Sequence, residues 1–145
     1  MHPLIGWLPV WRRNFLVWKK LAIPSVLGNL ADPLIYMLGL GYGLGALLPS
    51  LDGQPYVAFL AAGTVCASTM NAATFEALYS SFSRMHVQKT WDAILNTPRS
   101  LTDVVAGELF WATTKSLFSG VAILLVVAAL GLTQGWLTLW ALPAI

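Results

Sequence analysis

Three apolar stretches, Val26–Leu48, Tyr56–Phe82 and Asp103–Leu132, take up most of this 145-residue chain. About 20 helical residues cross the hydrocarbon core of a bilayer, so each stretch is long enough to span it. In lipid a segment must satisfy its own backbone N–H and C=O groups, and runs of this kind do so as helices. The expected fold is therefore all-α: a polytopic helical membrane protein with three transmembrane helices. Charge supports this, because only 10% of residues are charged, against about 25% in an ordinary soluble domain. The net charge of +2 is too small to suggest nucleic acid as a partner. Cys66, the single cysteine, lies inside the second apolar run, so no intrachain disulfide can form.

The first 25 residues do not resemble a secretory signal, because the cations follow a Trp-rich apolar start instead of preceding an apolar core. Residues 4–21 read as an amphipathic helix. At about 100° per residue, Arg12, Arg13, Lys19 and Lys20 share one arc of roughly 120°, while Leu4, Trp7, Val10, Trp11, Phe15, Val17, Trp18 and Leu21 lie opposite. A basic stripe against a Trp-rich face is the pattern of a helix lying at the membrane surface in contact with lipid. The competing reading makes the four cations the positive flank of the next span.

Asp32-Pro33 punctuates the first span, which either begins at Asp32 as an N-cap or runs from Val26 with a kink. Gly39/Gly43 and Gly41/Gly45 form two overlapping small-xxx-small pairs, suited to close helix packing. Pro49 to Pro55 is a turn cluster without Lys or Arg. Ser68, Thr69, Asn71, Thr74 and Glu76 suggest a polar face on the second span. The segment 84–98 holds a short amphipathic stretch, Val87–Asn96, ending at Thr97-Pro98, where proline stops a helix. Thr102 or Ser100 is the expected cap of the third span. Trp136–Ile145 opens another apolar run of about ten residues, too short to cross as a helix. It reads as the start of a fourth span, cut within the chain, in preference to a re-entrant tail.

Cations in the loops set the orientation: four in the N-terminal segment, none in the first turn, three in 84–99 and none in 131–135. The positive-inside rule then places the N-terminus in the cytoplasm. Glu76, Glu108 and Lys115 fall inside the spans, where ionisable groups are costly and face protein. Lys115 lies deeper, but its stem leans toward the N-terminal end of its helix. A Glu76–Lys115 pair, or a Glu76/Glu108/Lys115 cluster, is expected to tie spans two and three together. The alternative is that each carboxylate reaches water at the rim.

The chain has no phosphate-binding Gly-Lys-Ser/Thr loop, no Cys/His set at metal-ligand spacing and no nucleophile elbow. His2 and His86 lack a nearby Cys or paired acid. No catalytic residue, metal site or bound cofactor is expected in this chain, and it does not read as an enzyme.

The strings Phe75-Glu-Ala-Leu-Tyr-Ser-Ser-Phe-Ser-Arg84, Thr90-Trp-Asp-Ala-Ile-Leu-Asn-Thr-Pro98 and Val105-Ala-Gly-Glu-Leu-Phe-Trp111 resemble the permeases of ABC-2 type exporters. Within these the chain is most similar to the nodulation protein J type, associated with lipo-oligosaccharide export. The resemblance covers the whole chain and makes it the N-terminal half of a six-span permease of the bacterial inner membrane. It implies a second permease copy, a separate ATP-binding subunit that holds the ATP, and an amphiphilic substrate, a lipo-oligosaccharide or polysaccharide. It also implies a coupling helix at 84–98 that docks on the ATP-binding subunit. Its apolar contact face would be Trp91, Ile94 and Leu95, with Arg84 and Lys89 as a charged rim and Asp92, Thr97 and Pro98 in the same element. The residues alone leave other classes open: an exporter of drugs or other small amphiphiles, a helical scaffold, or an oligomeric channel subunit.

Overall fold

A computed structural model of the chain describes residues 6–47, 50–51 and 54–131. The expected start of a fourth span, Trp136–Ile145, lies outside the described residues, as do His2 and Leu4. The order is α1 (Leu8–Lys20), α2 (Ala22–Gly45), a hairpin of β1 (Ser50–Leu51) and β2 (Gln54–Pro55), α3 (Tyr56–Phe75), α4 (Thr90–Leu95) and α5 (Leu101–Ala129). Two π-helical turns, Glu76–Ser80 and Ser83–Val87, carry α3 onward. Apart from the two-residue antiparallel ladder Ser50↔Pro55 and Leu51↔Gln54, the regular structure among the described residues is helical.

Among the described residues three helices are long and apolar enough to cross a membrane: Ala22–Gly45, Tyr56–Val87 and Leu101–Ala129. This is a helical membrane protein. The span boundaries shift from the sequence reading for local reasons. The first helix starts at Ala22 and passes through Asp32 and Pro33 without stopping. Proline removes one intrahelical hydrogen bond but need not end a helix in lipid, where neighbouring groups can compensate. The third starts at Leu101, because Ser100 and Asp103 cap it reciprocally. The Ser100 amide and hydroxyl donate to Asp103 Oδ2 at 3.1 and 2.9 Å, and the Asp103 amide donates to Ser100 Oγ at 3.2 Å. That is a capping box with aspartate in the acidic position.

The chain divides into two compact units. One comprises Ile23–Asn71 with the described part of Ser116–Ile145. Its core is Met37, Ala61, Val65, Ile123 and Val127, with Leu30 and Leu34 packed against it. The two glycine pairs separate here. A Cβ on Gly41 would lie 3.4 Å from Val57, and one on Gly45 3.5 Å from it, so this pair faces α3. Gly39 and Gly43 have nothing within 4 Å. Thr69 is buried and its hydroxyl donates to the Val65 carbonyl at 2.8 Å.

The other unit comprises the described part of Met1–Ala22 with Ala72–Lys115. Here α1 lies on the first half of α5. Trp7 stacks on Phe110 with centroids 4.3 Å apart, Trp18 meets Trp111 edge-on at 6.1 Å, and Trp11 Nε1 donates to Thr114 Oγ1 at 3.0 Å. Gly107 permits the approach: a Cβ there would sit 2.6 Å from Val10 Cβ and 2.9 Å from the Trp7 carbonyl oxygen. The aromatic face of α1 is thus turned toward protein, where the sequence reading had it facing lipid. Arg12, Lys19 and Lys20 remain exposed. Interlocking aromatic rings gain packing beyond the area they bury, which α5 supplies through Phe110 and Trp111.

Candidate functional site

Four charged side chains meet in the second of these units, contributed by the α3 extension and α5. Glu76 and Glu108 have side chains only 3% and 4% exposed, and Arg84 is 12% exposed. Arg84 bridges them. Its Nη1 lies 2.9 Å from Glu76 Oε1, and its Nε donates to Glu108 Oε2 at 2.9 Å. Lys115 Nζ donates to Glu76 Oε2 at 2.6 Å. Trp111 Nε1 donates to Glu76 Oε1 at 2.9 Å, and Ser81 Oγ donates to Glu108 Oε2 at 3.2 Å. Two carboxylates and two cations make the set formally neutral, and every one has a partner. That is the condition under which buried charge is tolerated.

The backbone explains the alignment. In an α-helix, eight residues at about 100° each would leave Arg84 roughly 80° round the helix from Glu76. The Ser81 amide instead bonds back to the Glu76 carbonyl, and the Gln88 amide to that of Ser83 at 2.9 Å, both five residues back. Wider turns rotate less per residue and return the guanidinium to the carboxylate side, and such bulges recur at functional sites. On α5, Glu108, Trp111 and Lys115 follow the three- and four-residue spacing of one helix face.

Of the two expected arrangements, the Glu76–Lys115 pair is the one present, while Glu108 is held by Arg84 and Ser81 and not by Lys115. Arg84, expected on an exposed rim, is turned into the network. A signal for this was present: Glu76 and Glu108 against Lys115 leaves one negative charge unbalanced, and Arg84 is the cation nearest to Glu76 in sequence. The expected polar face of the second span does not form as one surface. Thr69 and Glu76 point inward while Asn71 and Thr74 are exposed.

The segment 84–98 is not one helix. Lys89 adopts a left-handed conformation, φ 53°, and breaks it, so α4 spans only Thr90–Leu95. Lys89 and Asp92 are solvated partners at 3.9 Å, both about two-thirds exposed. Trp91 and Ile94 are half-buried, whereas Leu95 is 39% exposed and Thr97 and Pro98 lie on the surface. Trp91 Nε1 is buried without a hydrogen-bond partner. Arg13 Nη2 donates to Thr90 Oγ1 at 3.3 Å, tying α1 to α4. Burial, and then the nearby Arg84 charge, lowers the Arg13 pKa from its ordinary value, with Glu108 opposing. Among the described residues no three His, Cys, Asp or Glu side chains group as metal ligands would.

The chain is similar to nodulation protein J from several bacteria. It is 54% identical to that of Rhizobium meliloti over 140 residues, covering 97% of this chain and 53% of the relative. With that of Rhizobium leguminosarum bv. viciae it shares 52% over 141 residues, covering 97% and 54% respectively. With that of Azorhizobium caulinodans it shares 37% over 142 residues, covering 98% and 56%. The chain thus spans about half the length of the curated relatives it matches. No family model matches it. No solved structure matches it. Identity of this order along nearly the whole chain, on a three-span helical scaffold, places it in the nodulation protein J family over the part of those proteins that it spans.

Proposed function

We propose that this chain is the membrane-embedded part of an ATP-driven ABC exporter permease that moves an amphiphile with a saccharide head, a lipo-oligosaccharide or polysaccharide, across the bacterial inner membrane. Its N-terminus is cytoplasmic, a second permease copy completes the pathway, and ATP is hydrolysed by a separate subunit. The observation that carries this reading is the Arg84 network. It fixes the α3 extension to α5 immediately beside the short helix α4.

A device for converting motion of an extramembrane contact into motion of spans needs a stiff joint between them. Here the joint is a set of charge-assisted hydrogen bonds among buried groups, stronger and more directional than apolar contact. Helix α4 offers the contact. Leu95 is exposed, Trp91 is half-buried, and the solvated Lys89–Asp92 pair belongs to the same short element. An ATP-binding subunit docking on α4 pushes through Val87 and Arg84 into both spans. The relatives' shared name, nodulation protein J, supports nodulation as the setting.

The test is co-purification of the permease with its ATP-binding partner, combined with Trp91→Ala. The variant should retain expression and lose most substrate-stimulated ATP hydrolysis. Absence of a complex, or wild-type turnover in Trp91→Ala, overturns the docking role of α4.

A further inference from the structure

The face of α2 turned away from the Gly41/Gly45 contact is unusual for a span. Asp32 lies on it, exposed, about 15 Å along the helix from Ala22 and about 20 Å from Gly45 at 1.5 Å per residue. Among the described residues it has no hydrogen bond or ion pair. At about 100° per residue, Gly28, Asn29, Tyr36, Gly39 and Gly43 fall within roughly 60° of it. Tyr36 is 61% exposed, and Gly28, Gly39 and Gly43 have open space where a Cβ would stand. Pro33 adds to the polarity, because it lacks the N–H that would bond the Asn29 carbonyl one turn back. The face therefore presents a carboxylate, a carbonyl deprived of its donor and a phenol above a glycine floor.

Acyl chains cannot satisfy these acceptors, and a carboxylate deep in a span faces protein or a polar pathway. A second copy of the same face would set carboxylate against carboxylate, which is repulsive. The span cations among the described residues, Arg84 and Lys115, are both engaged by Glu76 and Glu108. What complements the face is a group rich in hydrogen-bond donors and thin enough to lie on glycine. We infer that Asn29, Asp32 and Tyr36 form a contact rail for the hydroxyl-bearing saccharide head of the transported amphiphile. The inference rests on the export reading above and gives it a specific surface.

The experiment uses the protein expressed from its full reading frame with its ATP-binding partner, in membrane vesicles, with Cys66→Ala as background. Asp32→Cys, Tyr36→Cys and Gly43→Cys are each labelled with a membrane-impermeant thiol reagent. Leu38→Cys, on another side of α2, is the lipid-facing reference. Labelling at positions 32 and 36 should run at least about tenfold faster than at 38. A synthetic neutral lipo-oligosaccharide should slow it about fivefold, and an alkyl phosphocholine of equal chain length should not. If Asp32→Cys fails to fold, Tyr36→Cys and Gly43→Cys carry the same readout. Labelling no faster than at Leu38→Cys means that another protein segment or a second copy covers the face, and the rail is wrong. Fast labelling that both amphiphiles slow equally, or neither slows, also overturns it. ATP hydrolysis by the unlabelled background separates the two claims. Stimulation by the lipo-oligosaccharide without protection leaves export standing and removes the rail, whereas no stimulation removes both.

Discussion

Replacing Arg84 with Met keeps much of the stem's packing volume and deletes the guanidinium. Glu108 is then left with Ser81 as its remaining polar partner, and Glu76 keeps Lys115 and Trp111. Removing one member of a buried ion pair costs about 3–5 kcal/mol, because the other charge stays buried without compensation. The folded-to-unfolded ratio should therefore fall by about two to three and a half orders of magnitude. Adding Glu108→Gln removes the orphaned charge, leaves Glu76–Lys115 neutral and still lets Ser81 donate to the amide oxygen. The double variant should recover at least about 2 kcal/mol relative to additivity, the signature of direct coupling. Equilibrium unfolding in mixed micelles, followed by Trp fluorescence, reads this, since Trp111 donates directly to Glu76. Lys89→Met is the comparison, because its 3.9 Å pair with Asp92 is solvated; its loss should cost under about 1 kcal/mol. An Arg84→Met penalty as small as that, or no recovery with Glu108→Gln, would refute the network as described.

Three further outcomes follow from the same geometry. The reciprocal exchange Glu76→Lys with Lys115→Glu should fail to restore folding, because the new lysine would face Arg84, 2.9 Å from the original Glu76 oxygen; full recovery in a thermal-stability assay would contradict this. Gly107→Ala should detach α1 or cost about 1–3 kcal/mol through overpacking, since the intruding methyl meets the Trp7 carbonyl oxygen as well as Val10; loss of Trp7→Cys protection from thiol reagents would report it. Ser100→Ala removes the cap hydroxyl of α5 and should lower stability by about 1 kcal/mol, read as a shift in the unfolding midpoint.

The spans were legible because lipid imposes one strong constraint, and Val26–Leu48, Tyr56–Phe82 and Asp103–Leu132 each satisfy it in length and apolarity. Their ends were less legible. Pro33 reads as a boundary in a soluble helix, yet in a span it is carried through, so α2 begins ten residues before Asp32. The charge cluster was half legible. The lean of the Lys115 stem brings it toward Glu76 on regular α-helical winding, but the π turns that deliver Arg84 have no simple signature in residue type. Periodicity identifies an apolar face at Trp7, Trp11 and Trp18 without saying what covers it. Protein covers it here, through Phe110, Trp111 and Thr114.

Labelling of Lys89→Cys, in a Cys66→Ala background and in sealed vesicles of both orientations, tests the proposed arrangement most directly. The cysteine should react only from the cytosolic side, and the bound ATP-binding subunit should shield it. Reaction from the outer side, or indifference to the partner, would contradict both the orientation of the spans and the docking role of α4.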